Sequence, residues 1–206
     1  MDFEEVLDHL LHLDPHTRSL GAIYDTLFLM HGQSTGRNPT RWGNKTPRHV
    51  FSIPLLTRVF PSAKFVHMLR DGADVVPSLI KMNPKGYSIE NAATFWCSAV
   101  HAFGCFQKSY PYKCMQVRYE DLVLRTEETI TSLCEFLNLP FDPDMLATTE
   151  VPQDVVDIAH HTRLSMPIDG RSLGKGRMQL SHSERQELGF LINDLLLLHG
   201  YEPIKA

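Results

Sequence analysis

The sequence predicts an α/β domain built on a mainly parallel sheet, and three observations predict it. Phe65-Val66-His67-Met68-Leu69 is a short apolar run, the length of a parallel strand covered on both faces. Arg70 stands where that strand ends, Asp71-Gly72 supplies turn chemistry with Gly free to take a positive φ, and helical spacing follows. A second short strand is expected over 113–117, between a long helical stretch and an amphipathic one. Strands alternating with helices imply crossover connections and a parallel sheet.

Length and composition set the frame. The 206 residues suit a single domain, 1–206, with a real core. Hydrophobic residues make up 43% and charged residues 21%, ordinary globular values. A net charge of −4 argues against bulk nucleic-acid or membrane binding but not against a local basic pocket. No window approaches the roughly 18 apolar residues of a membrane span. The start is acidic and amphipathic, unlike a signal peptide, which leads to the expectation of a cytoplasmic protein. The four cysteines, 97, 105, 114 and 134, form no close metal-type pair and read as reduced structural thiols.

Residues 1–31 keep helical spacing through Phe3, Val6, Leu7, Leu10 and Leu11, break at Pro15, and resume through Leu20, Ile23, Tyr24, Leu27 and Phe28. His9, His12 and His16 raise the question of a zinc site, but Pro15 intervenes and no fourth ligand is evident. Residues 32–41 form a polar loop, followed by Trp42-Gly43-Asn44-Lys45-Thr46-Pro47. The stretch 50–60 is apolar at helical spacing, with Pro54 near its start. The helix after the first strand runs over 75–82, and a longer one over 89–110 carries an aromatic stripe of Phe95, Trp96, Phe103 and Phe106 that suits the core. The amphipathic helix over 127–137 is closed by Leu-Asn-Leu-Pro-Phe. Residues 151–170 lack periodicity and read as a loop or lid, and 171–181 as a basic loop. The last helix spans 183–199, with Leu188, Leu191, Ile192, Leu195, Leu196 and Leu198 buried and Gly200 at C′.

The chemistry gathers around Arg70. Ligands in open α/β sheets sit beyond the carboxyl ends of strands, where an Arg fork suits a phosphate and Ser78, two turns into the helix, adds a hydroxyl. An equal reading pairs Arg70 with Asp71 or Asp74 and leaves Ser78 to solvent. The pattern Arg70-Asp71-Gly72-x-Asp74-x-x-x-Ser78 after an apolar strand resembles the 3′-phosphate segment of sulfotransferases, which use 3′-phosphoadenosine 5′-phosphosulfate (PAPS). Three further stretches resemble that family in the same order: Lys45-Thr46-Pro47, Tyr119-Glu120-Asp121-Leu122, and the basic loop 171–181. In the bacterial branch that loop commonly reads Ser-x-Gly-Arg-Trp-Arg; this chain has Lys175, Gly176 and Arg177 there, without the Trp.

The resemblance covers residues 17–202 and implies a three-layer fold like that of the P-loop NTPases, incomplete at its N-terminal side. It implies sulfuryl transfer from PAPS to a hydroxyl or amine on a small molecule or peptide, with no metal and no nucleic-acid or membrane partner. Lys45 would then be catalytic, stabilising charge on the bridging oxygen. Arg70 and Ser78 would hold the 3′-phosphate, Tyr119 would meet the adenine, and Lys175 and Arg177 would close over the nucleotide. The family's Lys/Arg-Ser-Gly-Thr-Thr loop has no counterpart in this sequence, and no general base is evident. That gap supports an alternative, a non-catalytic relative that keeps the scaffold as a binding module. A kinase-like enzyme is disfavoured, because no Gly-x-x-x-x-Gly-Lys-Ser/Thr stretch is present.

Overall fold

The computed structural model describes residues 3–14, 18–36, 38–147 and 169–205. It contains two compact units, Met1–Ala63 and Lys64–Ala206.

In the first unit, α1 spans Phe3–Leu11 and α2 spans Leu20–Ser34. Ser19 caps α2 by accepting a hydrogen bond from the Ala22 amide at 3.1 Å. The helix runs past the expected start of the polar loop, taking in Gln33 and Ser34. The apolar stretch 50–60 is divided: a 3-10 turn spans Pro47–Ser52, and α3 begins only at Ile53 and ends at Val59. Pro54 explains the late start, since its missing N–H is harmless in a first turn and disruptive further in. Trp42 stacks on Phe28 at 4.3 Å, meets Phe60 edge-on at 5.3 Å, and donates its indole N–H to Asp25 at 2.7 Å. This anchor fixes the chain just ahead of Lys45. His16 lies outside the described residues, and His12 approaches the Asp8 carboxylate at 3.3 Å. Among the described residues no group of three or more His, Cys, Asp or Glu is placed to hold a metal ion.

The second unit holds the sheet. Strand β1 is Phe65–Leu69 and β2 is Cys114–Arg118, paired in parallel with Leu69 opposite Arg118. The connecting helices are α4, Gly72–Met82, and α5, Ile89–Ser109. Two helices follow β2: α6, Tyr119–Leu124, and α7, Thr126–Leu137. Beyond the undescribed stretch come α8, Lys175–Gln179, and α9, His182–Leu198. The core joins Leu69, Ala73, Val76, Trp96, Leu188, Ile192 and Leu196, all buried, so β1, α4, α5 and α9 share one apolar layer.

Three expectations are corrected. Strand β1 is not covered on both faces: Phe65 meets Phe106 edge-on and His67 stacks on Phe103, whereas Val66 is 39% and Met68 44% exposed. The period of two sends those alternate residues to opposite faces, and α5 covers only one of them. Leu198 is not buried but 76% exposed. Leu188, Ile192, Leu195 and Leu196 form the inward stripe of α9, and a residue ten positions after Leu188 has rotated to the helix flank. The basic loop 171–181 is partly ordered, containing a 3-10 turn, Gly170–Ser172, and α8.

Candidate functional site

The turn from β1 into α4 is built by close packing. Asp71 caps α4 by accepting from the Ala73 amide at 2.9 Å. Gly72 is required by proximity rather than by a positive φ: a Cβ there would lie 2.9 Å from Ile192 and 3.0 Å from the Trp96 ring. Trp96 also donates its indole N–H to the Arg70 carbonyl at 3.1 Å, which fixes the backbone where the strand ends.

Arg70 projects from that point. One terminal nitrogen, Nη2, donates to the Ser172 carbonyl at 2.6 Å and reaches the Asp74 carboxylate at 3.4 Å. The guanidinium lies over the Tyr119 ring, 4.6 Å from its centre, and the Tyr119 hydroxyl meets Ser172 Oγ at 2.9 Å. Arg70 Nε is buried without a hydrogen-bond partner. A buried cationic N–H left without an acceptor is costly, and an anion arriving there would relieve that cost.

Two aspartates fasten the segment 174–177 to the start of α4. Asp74, its side chain 2% exposed, accepts from the Gly174 amide at 2.8 Å and from the Gly176 amide at 2.6 Å. Gly176 has no room for a side chain, since a Cβ would lie 2.3 Å from the Ala73 carbonyl. Pro77 stands four residues after Ala73 and has no N–H to offer that carbonyl. Asp71 pairs with Arg177 Nε at 2.6 Å, and Arg177 also donates to the carbonyls of Glu202 and Pro203. Glu120 completes the support by accepting from the Asp71 amide at 3.0 Å and from the Tyr201 hydroxyl at 2.9 Å. Burial, then the neighbouring Glu120 carboxylate, pushes the Tyr201 phenol well above its ordinary value, so it remains a donor. Arg118 stacks on the Tyr201 ring at 4.2 Å.

Of the residues singled out in the sequence, the structure brings Arg70 and Tyr119 into direct contact and joins Arg177 to them through Asp71. Ser78 is exposed on α4, one turn beyond Asp74 on the same face. Lys175 is exposed at the first position of α8. Lys45, also exposed, belongs to the first unit. The ion pair between Arg70 and Asp74 is present as well, so the two readings of Arg70 are not exclusive. Glu120, Tyr201, Trp96 and Ser172 were not read as site residues, Trp96 being placed in the core and Glu120 standing only within the Tyr119 stretch. Only Glu120 carried a signal, its place beside Tyr119; the other three reach the site through long-range packing.

A strand, turn and helix with an arginine just beyond the strand's carboxyl end is the arrangement at which open α/β sheets take their ligands. The Sulfotransferase family model matches residues 5–143, and the chain belongs to that family. It is 33% identical over 137 residues to protein-tyrosine sulfotransferase 1 of Danio rerio, covering 64% of this chain and 35% of that protein. It is 30% identical over 181 residues to protein-tyrosine sulfotransferase of Drosophila melanogaster, covering 82% and 36%. An omega-hydroxy-beta-dihydromenaquinone-9 sulfotransferase of Mycobacterium tuberculosis is 32% identical over 150 residues, covering 66% and 38%. The chain therefore spans half or less of the length of these relatives. Among solved structures, the sulfotransferase domain from the curacin biosynthetic pathway superposes with a TM-score of 0.62 at 21% identity, covering 97% of this chain and 78% of that one. The sulfotransferase domain of the Synechococcus PCC 7002 olefin synthase gives 0.61 at 20% identity, covering 90% and 72%. The fold is the α/β sulfotransferase fold.

Proposed function

We propose that this chain is a sulfotransferase domain that moves a sulfuryl group from PAPS to an acceptor hydroxyl or amine. The observation that carries the reading is Arg70, fixed at the carboxyl end of β1 with a buried Nε that no acceptor meets. A planar fork with donors to spare suits a phosphate, and in this reading Arg70 takes the 3′-phosphate of the donor. Ser78 adds a hydroxyl from α4, Tyr119 offers a ring face to the adenine, and Lys175 and Arg177 supply positive charge from the strap. Lys45 neutralises charge that builds on the bridging oxygen as the sulfuryl group leaves. The displacement needs no metal. Relatives named for tyrosine and for an omega-hydroxy quinone derivative support a hydroxyl on a peptide or small molecule as the acceptor.

The absence of a Gly-rich phosphate loop from this sequence favours a second reading, a binding module that keeps the nucleotide site without transfer. The test is thermal unfolding with and without 3′-phosphoadenosine 5′-phosphate. Ligand at a hundred times its Kd adds about 2.7 kcal/mol of stability, and Arg70→Ala should abolish that gain. No shift in a cooperatively folded wild type would refute nucleotide binding. A shift without sulfuryl transfer to any phenol or alcohol would leave the binding module.

A further inference from the structure

The peptide unit that joins Arg70 to Asp71 is held at both of its ends by side chains. Its carbonyl accepts from the Trp96 indole N–H at 3.1 Å, and its N–H donates to Glu120 Oε1 at 3.0 Å. A peptide unit is planar, so two such bonds on opposite sides fix its tilt and with it the direction in which Arg70 leaves the backbone. The second oxygen of Glu120 is answered from much later in the sequence: Oε2 accepts from the Tyr201 hydroxyl at 2.9 Å. Tyr201 is itself firmly held. Gly200, at φ 71, turns the chain after α9, and the Tyr201 amide donates back to the Leu196 carbonyl at 2.9 Å. The buried Tyr201 ring lies against the Arg118 guanidinium at 4.2 Å. Asn193 pins the chain three residues further on, through hydrogen bonds of 2.7 and 3.2 Å to the Ile204 backbone.

We propose that Glu120 and Tyr201 are positioning residues for the candidate nucleotide site: the hydrogen bond between them holds the Arg70–Asp71 peptide in the orientation that aims the Arg70 guanidinium at a 3′-phosphate. Neither residue needs to touch the nucleotide. The inference rests on the nucleotide reading and adds to it a source of selectivity. An arginine fork grips a phosphate through parallel hydrogen bonds that tolerate little error in direction. Trp96 alone leaves the peptide plane free to rock about a single bond. Loosening Glu120 therefore weakens the hold on the 3′-phosphate and leaves the rest of the nucleotide largely as it was.

The experiment is calorimetric titration with two probes, 3′-phosphoadenosine 5′-phosphate and adenosine 5′-phosphate, which lacks the 3′-phosphate. Wild type should bind the first more tightly. Tyr201→Phe keeps the ring against Arg118 and removes only the bond to Glu120. Its Kd for the 3′-phosphorylated probe should rise about fivefold, while that for adenosine 5′-phosphate stays within about twofold. Glu120→Ala should lose at least as much. Glu120→Gln can still accept from the Asp71 amide and donate to the Tyr201 oxygen, and should recover most of that loss. Equal weakening of both probes in Tyr201→Phe, or no change in either, would overturn the proposal and leave the nucleotide reading standing, with the pair as ordinary packing. A Glu120→Gln protein no better than Glu120→Ala would likewise overturn it. A wild type that binds neither probe, or both alike, would refute the 3′-phosphate reading and this inference with it.

Discussion

Asp74 is a charged side chain almost completely enclosed, and both of its oxygens are answered. One accepts from Gly176, the other from Gly174 and Arg70. Enclosing a carboxylate is expensive unless donors replace the lost water, and here two backbone amides and a guanidinium do so. Truncating it strands both amides and leaves Arg70 with the Ser172 carbonyl alone. Asp74→Ala should therefore lower stability by roughly 2–4 kcal/mol, read from urea unfolding. Asp74→Asn keeps one acceptor but turns an NH2 toward a backbone N–H, and should fall between the two. Arg70 has the opposite character. Its contacts leave Nε unmet, so its replacement by Met, which keeps much of the stem over Tyr119, should cost far less stability than the loss of Asp74.

At the level of elements, the decisive feature is α8 lying on the first turn of α4. The approach is so close that Gly176→Ala places a methyl against the Ala73 backbone, which cannot yield as a side chain can. The expected outcome is undocking of the strap with the core intact: limited proteolysis should cut within 169–180 much faster than in wild type, while the main unfolding transition moves little. Much of this architecture was legible in the sequence. Phe65 to Leu69 announced a strand and Asp71-Gly72 the turn, whereas the reciprocal capping box of Ser181 and Glu184 that opens α9 was not read. Arg70 and Tyr119 were legible because each directly follows a strand within a stretch that resembles the sulfotransferase family. The role of Gly176 was not, because its reason is the Ala73 carbonyl, a neighbour about a hundred positions earlier in the chain. Gly72 was singled out for conformational freedom, whereas the crowding of Trp96 and Ile192 explains it. Val66 and Met68 were placed in the core because an apolar strand carries no mark of which face a helix will leave open.

For the whole molecule, two histidines tie stability to pH. His67 is stacked on Phe103 at 4.5 Å and meets Gln116 at 3.4 Å. Burial is the main cause that lowers its pKa, the Gln116 contact partly opposes it, and His199 adds a small push in the same direction as burial. His199 is lowered too, chiefly by burial and then by His101 and Arg118. The unfolded chain takes up protons near the ordinary imidazole value of about 6.5, whereas the folded chain resists them. Stability contributed by these neutral rings is therefore complete above that value and is lost as pH falls through it, levelling off below the folded pKa. Melting temperature should drop between about pH 7.5 and pH 5.5, and His67→Gln should flatten the slope. A slope unchanged in that variant would assign the effect to other groups.

The contacts that complete the site are also the most distant along the chain. Arg70 reaches Ser172 across 102 positions, Asp71 reaches Arg177 across 106, and Glu120 reaches Tyr201 across 81. During synthesis, β1, α4, α5 and β2 leave the ribosome long before the strap and tail do, and at about 5–20 residues per second the delay lasts several seconds or more. Throughout that interval Asp71 lacks Arg177, and Asp74 lacks the Gly174 and Gly176 amides and has only Arg70 to meet it. The nascent chain thus carries its sheet before it carries the contacts that complete its candidate site.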